Sequence, residues 1–313
     1  MPADLDQLLE ESSRTFALTI PFLPEPVRRE VTVAYLLFRV ADTLEDGERW
    51  SREERIAALQ RFDALLVGAP DRAVVDSFTE SLRLCPPTGH AGYAALLAAA
   101  PDVLAAFDAL AAPARQIVLR HLLVTVRGMG EGLSQGQGQG ALLQLRSLGQ
   151  LQRYCYLVAG VVGEMLTELF LLHAESQRTS ASLAALAATL RSHARAFGEG
   201  LQLTNILKDR GEDAREERHF VPEAVELRTL FALARSDLRD AARYVGALVA
   251  ARLPEGLVAF TALPVRLALD TLQAVEARGA GAKVGREQLQ LALEEVGQLV
   301  RGEKALEAVL RAG

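Results

Sequence analysis

The chain has 313 residues, half of them hydrophobic, and a formal charge of −6, which supplies a large core and argues against a general nucleic-acid surface. Ala, Leu, Glu, Arg and Gln dominate while β-branched runs and two-residue hairpin signals are scarce, so the composition predicts an all-α protein. Cys85 and Cys155 stand far apart with no metal or redox spacing, which excludes a disulfide scaffold and fits a reducing, cytoplasmic setting. The acidic start Met-Pro-Ala-Asp-Leu-Asp lacks the basic and apolar regions of a secretion signal. The most apolar stretches, Tyr156 to Gly163 and Ala94 to Ala100, meet charge or proline before the roughly 20 residues that a spanning helix needs, so no transmembrane segment is expected.

In chain order, residues 4 to 20 read as a first helix, ended by Pro21, Pro24 and Pro26, which make an extended connection. A second helix from Val27 to Asp46 is apolar nearly all round and belongs in the core. Tyr35, Arg39, Asp42 and Asp46 interrupt it at spacings of three and four and so share one face. Ser51-Arg-Glu-Glu opens an amphipathic helix over residues 51 to 66 with a capping box. Residues 67 to 101, rich in proline, read as looser connections around short helices. A long helix is predicted from Pro113 to Leu133, ending in Gly-Met-Gly-Glu-Gly. The following Gln135-Gly-Gln-Gly-Gln-Gly140 is most simply a surface loop, since a phosphate-binding loop would need a preceding strand and a Lys-Ser/Thr ending.

Helix resumes near Leu145 and passes through Tyr154-Cys-Tyr-Leu-Val-Ala-Gly-Val-Val-Gly163. Each interior glycine costs about 1 kcal/mol relative to alanine, so Gly160 and Gly163 imply close approach of another helix or a bulky ligand. Cys155 reads as a small buried hydrophobe and His219 as structural. Helices over about 183–212, 223–252, 256–278 and 286–311 complete the chain. Neither an internal repeat nor a linker divides it, so a single domain over 1–313 is expected.

The end of the first of these, over about 183–212, is the most informative. In Gln202-Leu-Thr-Asn-Ile-Leu-Lys-Asp-Arg-Gly-Glu-Asp213, a helix stacks Asn205, Asp209 and Asp213 at i, i+4 and i+8, with Gln202 one turn earlier. Apolar residues fill the gaps, so the row is expected to face an interior or a cleft. Oxygen donors without histidine or cysteine suit a hard cation, Mg²⁺ or Mn²⁺, shared with substrate phosphates. Asp42, Glu45 and Asp46 form a second acidic row. One Asp-x-x-x-Asp is ordinarily a solvated face, but two inside apolar helices predict a Mg²⁺-diphosphate site in a helical bundle. There the metals would neutralise a departing diphosphate, and a dry cavity would protect the allylic cation left behind.

These residues resemble the squalene and phytoene synthases. The likeness rests on Ser13-Arg14-Thr15-Phe16, Tyr35 to Asp46, Met129-Gly-Glu-Gly, Tyr154 to Gly163, and Gln202 to Asp213 running on to Arg218-His-Phe-Val-Pro222, in that order. It implies an isoprenoid-synthase helical bundle with a central cavity, joining two prenyl diphosphates head to head. By position, Asp42, Glu45, Asp46, Asn205, Asp209 and Asp213 would hold Mg²⁺. Ser13, Arg14, Arg39, Gln202, Asn205 and Arg218 would bind diphosphate. Phe16, Tyr35, Tyr154 and Phe260 would border the reacting chains, with Tyr154 near the first cation. Arg39 read by itself is also explained as an ion pair with Asp42 or Asp46, and Phe16 and Tyr154 as core aromatics.

Asp42-Thr-Leu-Glu-Asp46 and Phe260-Thr-Ala-Leu-Pro264 resemble the squalene synthase branch, and Lys283-Val-Gly-Arg286 resembles its basic stretch near NADPH. Farnesyl diphosphate, a reductive second step and, for product release, a peripheral membrane contact follow from that likeness. Lys208 stands where arginine is usual and Gly285 replaces a basic residue. A relative that stops at presqualene diphosphate, or that makes hydroxysqualene, dehydrosqualene or phytoene, is the alternative.

Overall fold

The protein is described here by a computed structural model covering residues 3–13, 15–68, 71–135, 143–175, 179–216 and 218–310. Its regular structure is helical, as composition predicts, apart from a two-residue parallel ladder pairing Leu143 with Arg218 and Gln144 with His219. The chain forms two compact units, Met1–Pro21 with Glu25–Gly138, and Phe22–Pro24 with Gln139–Gly313.

The first unit contains α1 (Leu5–Ser12), α2 (Phe16–Thr19), α3 (Val27–Glu45), α4 (Arg52–Val67), α5 (Arg72–Leu84), α6 (Ala91–Ala98), α7 (Ala100–Asp108) and α8 (Ala112–Gln135). Helix α3 is its axis, buried over most of its surface, half-buried along the face of Tyr35, Arg39 and Asp42, and packed against α1, α4, α6, α7 and α8. The capping box of α4 forms as predicted: Ser51 Oγ accepts the Glu54 N–H at 3.2 Å, and the Glu54 carboxylate accepts the Ser51 N–H at 2.7 Å. Phe62 and Phe78 stack at 6.3 Å between centroids and join α4 to α5.

Two expectations change in this unit. The first helix stops at Ser12 instead of running to residue 20, because Ser13 Oγ accepts the N–H groups of Phe16 and Ala17 and starts a new turn there. Residues 67–101 hold more helix than expected, including the 13-residue α5, which Asp71 caps through the Val74 N–H. Gln135 ends α8, and the glycine-rich segment 136–140 lies outside the described residues.

The second unit contains β1 (Leu143–Gln144), α9 (Leu148–Cys155), a π-helical turn (Tyr156–Gly160), α10 (Val161–Ala174), α11 (Ser180–Arg215), β2 (Arg218–His219), α12 (Leu227–Ala250), α13 (Glu255–Arg278), α14 (Arg286–Val300) and α15 (Leu306–Val309). Helix α12 starts at Leu227 because residues 222–225 close a turn, Val225 N–H to Pro222 O. The last predicted helix divides at Gly302, whose φ of 72° is open to glycine at little cost.

Close helix packing explains the interior glycines. A Cβ on Gly163 would lie 2.0 Å from the Ala194 carbonyl oxygen, and one on Gly198 would lie 1.9 Å from that of Ala159. Helices α10 and α11 thus touch backbone to backbone, and another helix is the reason that the Gly160–Gly163 spacing demands.

The expectation about apolar length is corrected. Because the π turn continues the helical path, Leu148–Ala174 is one 27-residue helix that Arg153 and Glu164 do not interrupt. That helix and Glu255–Arg278 are long and apolar enough to cross a membrane by length and composition, and 61% and 56% of their apolar windows are buried inside the protein.

Replacing Gly163 with alanine forces α10 away from a fixed carbonyl. The expected loss is about 2 kcal/mol of stability, the scale of an overpacked core, read as a lowered urea midpoint; an unchanged midpoint contradicts the packing account.

Candidate active site

In the first unit, α3 carries Tyr35, Arg39, Asp42, Glu45 and Asp46 along its C-terminal half. Arg39 lies at the centre. Its Nη1 pairs with Asp42 at 3.4 Å, and its Nη2 donates to the Tyr35 hydroxyl at 3.2 Å. The hydroxyl in turn donates to the Ser12 carbonyl at 3.1 Å, and the Tyr35 ring lies 5.6 Å from that of Phe16. The Nε of Arg39 is buried without a hydrogen-bond acceptor. Burial pulls the guanidinium pKa down, but Asp42, Tyr35 and Tyr93 outweigh it and leave it above its ordinary value.

The acidic row is held at an electrostatic cost. Burial pushes the Asp42 carboxyl up to about 6, against the pull of Arg39 and with the push of Asp46. Burial followed by Asp46 and Asp42 raises Glu45 well above the usual carboxylate range, while Arg55 lowers it. All three acids sit in the last turn or at the C-cap of α3, the negative end of the helix dipole, where carboxylates are disfavoured and cations favoured. Arg55 answers part of that charge, donating to the Glu45 carbonyl at 3.1 Å.

The second row lies on α11, and it too approaches a helix C-terminus. Asn205 is exposed, the Asp209 side chain is 38% exposed and pairs with Lys208 at 3.1 Å, and Asp213 is buried. The row therefore grades from open to buried, and is not turned inward along its whole length. Arg218 pairs with Asp213 at 3.3 Å and also with Glu216. The β1–β2 ladder fixes the backbone at Arg218 and so brings the guanidinium to the row.

Two further stretches of this unit reach the same end of α11. The Gly281 N–H donates to the Lys208 carbonyl at 2.7 Å, which seats the loop before α14 beside Asp209. That loop carries Lys283 and opens onto Arg286, both exposed. Tyr154 packs its ring on Phe220 at 5.0 Å, against a core that includes Leu151, Leu203, Ile206 and Leu207.

The remaining predicted residues have simpler surroundings. Ser13 spends its hydroxyl on capping α2. Phe260 is 1% exposed and meets Phe170 edge to face at 6.3 Å. Gln202 is half-buried on α11, one turn before Asn205. Arg14 lies outside the described residues.

Among the described residues, no three His, Cys, Asp or Glu side chains are grouped so as to hold a metal ion by themselves. The chemistry of the donor set nevertheless fits Mg²⁺. It consists of hard oxygens, Asp46 pushes up Asp42 and Glu45 in the α3 row, and both rows stand where a helix dipole favours a cation. A hard ion held by one or two carboxylates and completed by phosphate oxygens matches that set.

Several polar residues escaped the sequence reading. Arg55 lies on the buried face of α4 with Ala58, Leu59 and Phe62, and a lone arginine in that 3–4 pattern was the available signal. Tyr93 on α6 approaches Arg39 and had no signal. A third group surrounds the π turn: Tyr156 donates to Glu164 at 3.2 Å, Arg195 covers the Tyr156 ring at 4.8 Å and pairs with Glu199 at 2.7 Å, and Asp237 follows on α12. Burial, then Glu199 and Asp240, push the Asp237 carboxyl up to about 7, with Arg195 opposing them. Burial, with smaller pushes from Glu199 and Asp237, also raises the Cys155 thiol, in keeping with an inert buried cysteine.

The fold and these two rows define an all-α protein of the squalene synthase fold. A solved complex of TcSQS with the ligand BPH1237 superposes with a TM-score of 0.73 at 21% identity, covering 98% of this chain and 97% of that one. A profile of the squalene/phytoene synthase family matches residues 9–228, and the chain belongs to that family. Similar curated proteins include the Botryococcus squalene synthase of Botryococcus braunii, 29% identical over 67% of this chain and 39% of its own length. The squalene synthase of Rattus norvegicus is 30% identical over 69% of this chain and 45% of its own length. In both cases the chain spans less than half of the relative.

The Asp237 carboxyl keeps its proton to about pH 7 in the folded protein, whereas an unfolded aspartate loses it near 4. Folding therefore binds a proton in that window, and stability falls as pH rises through it. Asp237→Asn is expected to flatten the decline in urea midpoint between pH 5 and pH 8; a slope identical to the wild type contradicts the assignment.

Proposed function

We propose that the protein condenses two farnesyl diphosphates head to head through presqualene diphosphate, with Mg²⁺, and then reduces that intermediate to squalene with NADPH. The observation that carries the first half is Arg39: a half-buried guanidinium with a buried, unsatisfied Nε–H, paired with Asp42 on the helix that also carries Glu45 and Asp46. An anion accompanied by a divalent cation satisfies both sides of that arrangement at once. Membership of the family and the similar squalene synthases support the same reading.

In this reading Asp42 and Asp46, assisted by Glu45, and Asp209 and Asp213, assisted by Asn205, hold Mg²⁺. Bound Mg²⁺ supplies neutralising charge to a leaving diphosphate. Arg39 and Arg218 bind diphosphate oxygens through guanidinium forks, and Gln202 donates its amide. Tyr154 presents a ring and a hydroxyl beside an apolar wall of Leu151, Leu203 and Phe220, a surface suited to stabilising positive charge while excluding water. Tyr35 and Phe16 back Arg39 on the other row.

The reductive half rests on Lys283 and Arg286, exposed cations on a loop tied to Lys208, which suit the phosphates of NADPH. NADPH supplies a hydride when bound. Gly285 between them weakens that basic stretch and favours a second reading, in which the product is presqualene diphosphate, hydroxysqualene, dehydrosqualene or phytoene.

Incubation with farnesyl diphosphate and Mg²⁺, with and without NADPH, separates these outcomes. Squalene formed only with NADPH is the expected result. Presqualene diphosphate as the end product in both arms removes the reductive half, and no turnover of farnesyl or geranylgeranyl diphosphate overturns the proposal. Asp209→Ala is expected to lower turnover roughly 100-fold, the scale of losing one preorganised charge contact, with an unchanged circular dichroism spectrum. Wild-type turnover by this variant contradicts the metal assignment.

A further inference from the structure

We propose that Tyr93 is a positioning residue for the diphosphate-binding guanidinium of Arg39, a role that rests on the proposed function above. The Arg39 Cζ lies 5.6 Å from the centroid of the Tyr35 ring and 5.5 Å from that of Tyr93. Both distances fall inside the range of a cation–π contact. Tyr35 precedes Arg39 by one turn on α3, whereas Tyr93 comes from α6, so the guanidinium is gripped by two helices.

The placement of Tyr93 follows from its neighbours. A Cβ on Gly92 would lie 2.2 Å from the Glu11 carbonyl oxygen, so glycine lets α6 press its first turn against the C-terminal end of α1. The next residue of α1, Ser12, is the one whose carbonyl accepts the Tyr35 hydroxyl. At the other side His90 caps α6, its Nδ1 accepting the Tyr93 N–H at 3.3 Å, and its ring stacks on Tyr93 with centroids 4.1 Å apart. The Tyr93 ring is thus held at both its backbone and its face.

This grip has a consequence for the ligand. Nη1 is taken by Asp42 and Nη2 by the Tyr35 hydroxyl, while Nε remains buried and without an acceptor. An arginine side chain ordinarily rotates to satisfy such a donor. Aromatic contacts from Tyr35 and Tyr93 oppose that rotation and hold the guanidinium, whose side chain keeps 27% of its surface exposed, in one orientation, so less side-chain freedom is lost when an anion binds. Tyr93 acts through Arg39 and needs no contact with the ligand.

The test measures binding of inorganic pyrophosphate with Mg²⁺ by calorimetry. Tyr93→Phe keeps the ring and is expected to bind as the wild type does. Tyr93→Leu is expected to bind about fivefold more weakly, the scale of one cation–π contact. In an Arg39→Gln background, Tyr93→Leu is expected to add no further loss. A second measurement needs no ligand: the Arg39 Nε–Hε NMR signal, identified by its absence in Arg39→Gln, moves in Tyr93→Leu and stays in place in Tyr93→Phe. Wild-type affinity in Tyr93→Leu, an equal loss in the Arg39→Gln background, or an unmoved Arg39 signal overturns the inference and leaves the proposed function standing. A wild-type protein that binds no pyrophosphate overturns both.

Discussion

The structure turns on carboxylates placed where elementary electrostatics resists them. Asp42, Glu45 and Asp46 end α3, and Asp209 and Asp213 occupy the last turns of α11, so both rows face the negative end of a helix dipole. Burial raises Asp42 and Glu45, and the acids of α3 repel one another. Arg39, Arg55 and Arg218 offset part of this charge, each tied down by the local fold. Such an arrangement is stabilised further by a hard cation, and a cation that brings a diphosphate also satisfies the arginines. In the proposed function, the same unfavourable term in the free protein becomes selectivity for the ligand.

Rigid backing holds each row in place. In the second unit the side-chain-free surfaces of Gly163 and Gly198 let α10 and α11 meet at their backbones, which steadies the helix bearing Asp209 and Asp213. The β1–β2 ladder delivers Arg218, and the Gly281 N–H closes the loop onto Lys208. In the first unit α3 is enclosed by other helices, and Gly92 draws α6 against α1 close to Arg39. Precision in these sites comes from close backbone contact, which tolerates little adjustment.

What could be read in the sequence was whatever local spacing determines. The i, i+4 rows, the Ser51–Glu54 capping box and the meaning of Gly160 and Gly163 all follow from helical periodicity and capping chemistry. Long-range contacts were not legible. Nothing near Tyr93 announces that its ring reaches Arg39, because that contact joins α6 to α3 through a helix pair positioned by Gly92. The Glu199 and Asp237 carboxylates have no local signal in the sequence, because the burial that raises them comes with tertiary packing. The break at Ser13 depends on a side chain competing for backbone N–H groups, which the apolar pattern does not record. The apolar length of Leu148–Ala174 is not legible locally, because the helix runs through its π turn past the charges of Arg153 and Glu164 without a break.

The central claim is that the α3 and α11 carboxylates are metal ligands in a diphosphate complex. Its most direct test is anomalous diffraction from crystals grown with Mn²⁺ and a non-hydrolysable farnesyl diphosphate analogue. The account predicts Mn²⁺ peaks within ligand distance of Asp42 or Asp46 and of Asp209 or Asp213, with analogue phosphate oxygens completing the coordination. Analogue bound without metal at either pair of aspartates would contradict it.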